Sequence, residues 1–215
     1  MEIFKNFAVF EGLDGSGTTT QLNILEDNYP ENRQTLPLLY KTFEPTNGSI
    51  GELIRLSLRK DIVFTPETVA LLFAADRNEH IWGSGGIAER CKRGELVVSD
   101  RYLLSSLVYQ GITCGDELPT RLNRDFPRPE LLIFLDIDPE TAQERIVGRD
   151  QKEIFEYLEF QIQVRDRYKS LLPKFQAEGV RVEIIDASLP VGEVAREVWG
   201  AITKMPIFEE VGNRE

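Results

Sequence analysis

The chain has 215 residues, 41% hydrophobic and 28% charged, which suits one soluble domain with a good-sized core. A formal charge of −11 argues against a nucleic-acid partner, since phosphate backbones select basic surfaces, although clustered arginines can still hold a small anion. No apolar run nears the roughly 18 residues that cross a membrane, no signal peptide is expected, and Cys91 and Cys114 lack metal-ligand spacing, so a soluble cytoplasmic protein with free thiols is expected.

In chain order, apolar strand-like runs alternate with longer helical patterns, which predicts an α/β fold with a parallel sheet and helices on both faces. The predicted strands are Phe4–Phe10, Leu36–Phe43, Glu95–Ser99, Leu131–Asp136 and Val180–Ile185. Helices are predicted over Gly17–Asn28, Ser49–Leu58, Pro66–Arg93, Leu103–Gln110, Pro139–Val147, Lys152–Ala177 and Val191–Thr203. Pro66 and Pro139 suit a first helical turn, where the missing N–H costs nothing. Asp150–Phe155 reads as irregular, and Phe208–Glu215 as a frayed acidic end. The whole of 1–215 fits a single three-layer domain.

The first strand runs into FEGLDGSGTTTQL, Phe10 to Leu22. Gly12 and Gly17 have the spacing of the phosphate-loop pattern G-x-x-x-x-G-K-[ST], with Thr18 where the pattern has lysine. Successive N–H groups from Leu13 through Asp14, Gly15, Ser16, Gly17 and Thr18 to Thr19 can form a concave nest, backed by a helix N-terminus. Thr19 occupies the position whose hydroxyl normally binds Mg2+. The plainer alternative is a glycine-rich structural turn. Further on, ELVVSDRY places Asp100 at the carboxyl edge of the sheet, where open parallel sheets bind ligands. Asp100 can hold Mg2+ directly or through water, with Arg101 beside it for an anion; a helix cap with a surface salt bridge is the alternative.

With these segments in view, the chain resembles the thymidylate kinases, a nucleoside-monophosphate kinase branch of the P-loop proteins. The matching stretches are FEGLDGSGTTTQ, TFEPTNGSIGELIR, LLFAADRNEHI, RGELVVSDRYLLSSLVYQG, FPRPELLIFLDIDP and IIDAS, in family order over about residues 7 to 190. The resemblance implies a five-stranded P-loop fold, ATP and Mg2+, dTMP as acceptor, and a homodimer. It implies that Phe73 stacks on thymine, that Arg77 and Arg101 hold the acceptor phosphate and base edge, and that Ser106 contacts the base. Tyr109, one turn on from Ser106, would pack on the deoxyribose and disfavour a 2′-hydroxyl. Asp14 would sit near the acceptor's 3′-hydroxyl and the metal. Glu44 and Pro45 would border the acceptor, joined by a cis peptide; Phe43 replaces an arginine found before this pair in bacterial relatives. A mobile lid, about residues 145–155, would bring Arg149 to the transferring phosphoryl and Arg145 to the ATP base or phosphates. Ala187 and Ser188 match an adenine-side loop.

Thr18 sets the open question. A lysine at about 4 Å, at an effective dielectric of about 20, contributes roughly 4 kcal/mol, on the order of a thousandfold in rate. Lys5 lies at the far end of its strand, roughly 20 Å away, so Arg145, Arg149 or Lys152 must substitute, or the protein binds nucleotides with little catalysis. A kinase for another nucleoside monophosphate is the third reading. His80, the only histidine, reads as a packing residue, because the acceptor is a phosphate monoester that needs no base.

Overall fold

The computed structural model describes residues 2–30, 36–146 and 151–208, and within 151–156 the backbone alone. Five strands form one parallel sheet in the order β2-β3-β1-β4-β5. They are β1 Ile3–Gly12, β2 Leu39–Phe43, β3 Leu96–Asp100, β4 Arg128–Asp136 and β5 Arg181–Asp186. The apolar runs of β1, β3 and β4 account for the order: Phe7–Phe10, Leu96–Val98 and Leu131–Leu135 are almost fully buried, as strands covered on both faces must be.

The helices are α1 Thr18–Asp27, α2 Ser49–Leu58, α3 Pro66–Trp82, α4 Ile87–Lys92, α5 Leu103–Cys114, α6 Glu117–Asn123, α7 Pro139–Glu144, α8 Gln151–Ala177 and α9 Val191–Ile202. Right-handed crossovers put α1 on the opposite face from the helices between β2 and β5, because the chain reverses direction across the sheet after β2. Packing agrees, with α1 against α9 and α5 against both α3 and α8. The fold is therefore the three-layer P-loop arrangement expected.

Two predicted stretches need correction and one helix was missed. The single helix over Pro66–Arg93 is two, α3 and α4, because Gly83, Gly85 and Gly86 interrupt it; Gly85 has φ 69°. A Cβ on Gly86 would lie 2.7 Å from the Ile81 carbonyl oxygen, so no larger residue closes this turn. The short helix α6 went unpredicted, since seven residues with Pro119 in the first turn carry little periodicity. The stretch Asp150–Phe155 is helical from Gln151 onward, where α8 starts.

Candidate active site

The first turn after β1 is built by glycine. Gly15 and Gly17 adopt φ of 85° and 93°, a region that L side chains rarely enter. A Cβ on Gly15 would meet the Ala142 carbonyl oxygen of α7 at 2.3 Å, so the loop and α7 touch backbone to backbone. Ser16 N donates to Leu13 O at 3.0 Å, closing the turn before α1 begins at Thr18. The loop encloses a cavity of about 580 Å3 lined from Leu13 to Gln21, with Arg101, Arg145 and Ala187 around it. Thr18 is buried against this wall at 6% exposure. Arg145 donates to Ala187 O at 3.0 Å, which fixes it beside the expected adenine-side loop.

The register Phe10↔Asp100 brings the end of β3 level with the loop. Thr19 Oγ1 donates to Asp100 Oδ2. Asp100 Oδ1 and Ser16 Oγ are buried with no hydrogen-bond partner among the described residues, so each keeps unused acceptor capacity beside the loop. Among the described residues no cluster of three metal-ligating side chains exists. That set fits Mg2+, which prefers one or two protein oxygens together with water and phosphate.

A second cavity, of about 220 Å3, lies across the loop. Phe73 and Ser106, Tyr109 and Gln110 line it from α3 and α5, with Glu44, Pro45 and Leu58 opposite. The Glu44–Pro45 peptide is cis, as the resemblance implied. The loop that follows is fastened by buried Asp76, which accepts from Thr46 N at 2.7 Å and Thr46 Oγ1 at 2.6 Å. Arg77 reaches the floor of this cavity with most of its donors already used. It donates to Glu44 Oε2 from Nε and Nη2 at 3.0 and 2.6 Å, to Ser106 Oγ at 3.0 Å, and to Asn123 Oδ1. His80 lies 3.1 Å from Glu44 Oε1 and 2.6 Å from Thr42 Oγ1.

Asp14 and Arg101 line both cavities. Arg101 Nη2 donates to Asp14 Oδ1 at 2.6 Å, and Tyr157 OH donates to Asp14 Oδ2 at 3.2 Å. Burial alone would lower the Arg101 pKa, but Tyr109, Tyr168, Asp14 and Asp100 outweigh it and hold the guanidinium charged. Arg101 and Asp14 thus join the glycine-loop cavity to an aromatic, hydroxyl-lined one. Arg149, expected on the transferring phosphoryl, lies outside the described residues.

Sequence reasoning missed Glu11, Ser105 and Tyr168. Glu11 is fully buried and, mainly through burial, its pKa is pushed up to about 7, against the pull of Ser105, Arg101 and Tyr168. One signal was present: a single acid closing the apolar run Phe7–Phe10. Because the folded value exceeds the ordinary carboxyl value of about 4.5, the fold favours the neutral acid. That stabilisation is complete below about pH 4.5 and is lost as pH rises through about 7, by up to roughly 3 kcal/mol. Urea unfolding across this range is expected to show the decline in the wild type and a flattened profile in Glu11→Gln.

A glycine loop backed by a helix, a Thr–Asp pair beside it and an adjoining aromatic cavity are the arrangement of a nucleoside-monophosphate kinase of the P-loop class. The thymidylate kinase family model matches residues 10–198. A Treponema pallidum relative that carries the thymidylate kinase name is 43% identical over 81% of this chain and 82% of its own length. Relatives of that name from Pyrobaculum aerophilum and Methanococcus maripaludis are each 40% identical over 94% of this chain, covering 99% and 98% of theirs. The chain belongs to the thymidylate kinase family. No helix among the described residues is long and apolar enough to cross a membrane.

Proposed function

We propose that the protein transfers the γ-phosphoryl of ATP to dTMP, giving dTDP and ADP in the cytoplasm. The observation that carries this reading is the sharing of Asp14 and Arg101 by the two cavities: with ATP in one and dTMP in the other, one cation would stand between the two phosphates. The acceptor phosphate, largely dianionic at pH 7, attacks in line without a general base. Phe73 offers a face to the base, Ser106 a hydroxyl to its edge, and Tyr109 a wall against the sugar that opposes a ribose 2′-hydroxyl. Asp14 accepts from the sugar 3′-hydroxyl. Arg101 neutralises charge on the transferring group, and Arg149 from the lid joins it. Mg2+, held by Thr19 and Asp100, supplies charge neutralisation on the donor phosphates when bound. Arg77 acts here by locking Glu44 and Ser106 in place.

A coupled assay with ATP, Mg2+ and dTMP tests the reading. Turnover is expected with dTMP and is expected to fall with dUMP, UMP, AMP and CMP; a rate equal to the no-enzyme control would sink it. Thr18 favours one second reading, a nucleotide-binding protein with little catalysis. Calorimetric binding of dTMP or ATP without product would identify it. As in the family resemblance, a homodimer is proposed.

A further inference from the structure

Glu11 sits just before the phosphate loop, and its carboxylate meets four donors. Tyr102 N and Ser105 N donate to Oε1 at 3.1 and 3.2 Å. Ser105 Oγ and Tyr168 OH donate to Oε2 at 2.6 and 2.9 Å. The two amides belong to the start of α5, a helix whose N-cap residue Tyr102 makes no side-chain cap bond of its own; Glu11 does that work from another element. The two hydroxyls also touch each other at 2.8 Å and accept from Arg101 Nη1 at 3.2 and 3.4 Å. Arg101 is held in a left-handed conformation, φ 69°, with Tyr109 OH 3.5 Å from the same Nη1.

A β-strand core position would be served more cheaply by an aliphatic residue, since an ionised carboxyl loses its hydration there. Here four donors offset the burial in part, and two of them hold the Arg101 guanidinium. We propose that Glu11 is a positioning residue for phosphoryl transfer: through Ser105 and Tyr168 it aims Arg101 at Asp14, the point where the two cavities meet. The inference rests on the kinase reading above. It makes α8 part of the site, because Tyr168 and Tyr157 tie that helix to Glu11 and Asp14 respectively. The groups facing Glu11 are Arg101 and Tyr109 from the β3–α5 side and Tyr168 from α8.

The test compares full-length wild type, Glu11→Gln, Arg101→Lys and the double variant at about pH 8, where the carboxyl is ionised. Glu11→Gln is expected to lower kcat/KM for dTMP about tenfold or more, while the KM for ATP stays within about threefold. On the Arg101→Lys background the same change is expected to cost less than about twofold, because its effect passes through the arginine. Equal losses on both backgrounds would overturn the inference. Tyr168→Phe, which removes one hydroxyl and keeps the ring packing, is expected to move the same parameter by about threefold; no change would overturn it too. A crystal structure of Glu11→Gln gives a reading that needs no turnover: Arg101 Nη2 should have left Asp14 Oδ1, and a guanidinium still on Asp14 overturns the proposal. A wild type that makes no ADP with dTMP defeats the kinase reading, and this structural outcome then decides the positioning claim alone.

Discussion

Arg77→Ala is expected to destabilise the protein by about 3–5 kcal/mol, the range for removing one member of a buried ion pair. The Arg77 and Glu44 side chains are 1% and 3% exposed and 2.6 Å apart. Alanine would leave Glu44 charged and buried with only His80 near it, at 3.1 Å, and would strip Asn123 and Ser106 of their donor. The rings of Tyr102 and Phe126, which the guanidinium faces at 5.3 and 5.8 Å, would lose their packing partner as well. Denaturant unfolding measures the cost, and a loss below about 1 kcal/mol would contradict the account. Pairing the change with Glu44→Gln should recover part of the loss, since the orphaned charge is then gone. The cavity proposed for the acceptor is lined by this pair, so dTMP affinity should fall in step.

Arg101→Ala is expected to lower kcat by about a thousandfold with the fold intact. A unit charge at about 4 Å and an effective dielectric of about 20 contributes roughly 4 kcal/mol, and that difference in a barrier is on the order of a thousandfold. The side chain is 20% exposed, so the fold has little invested in it compared with Arg77. Thr18 raises the stakes: in a loop with lysine a second fixed cation would cover part of the loss, whereas among the described lining residues here the other arginine, Arg145, is tied to Ala187 O. Single-turnover kinetics beside circular dichroism separate chemistry from folding. A drop smaller than about tenfold would mean that another cation, Arg149 foremost, carries the transfer.

The five strands and the parallel sheet were legible because buried apolar runs such as Phe7–Phe10 and Leu131–Leu135 leave a period that survives in one sequence. The helix boundaries were less so: the glycines at 83–86 were present as a turn signal, yet the apolar pattern ran across them. Within the site, the residues that obey a spacing were found together, Gly12 to Thr19 with Asp100 and Arg101. Phe73, Arg77, Ser106 and Tyr109 came from family resemblance, and the cavity gathers all four. What stayed hidden were partners set by topology alone. Glu11 lies 91 residues from Tyr102 and 157 from Tyr168, and no local pattern encodes contacts of that range.

The strand order has a consequence for how the protein is made. β1 is synthesised first, yet its neighbours are β3 and β4, with Phe7 beside Val97 and Ile3 beside Arg128. Until those residues leave the ribosome, the central strand of the sheet has two open edges, the condition in which chains pair wrongly. Such long-range closure also slows folding. The phosphate loop, though translated before the strands that flank it, therefore matures with the second half of the chain, and nucleotide can stabilise only a nearly finished molecule.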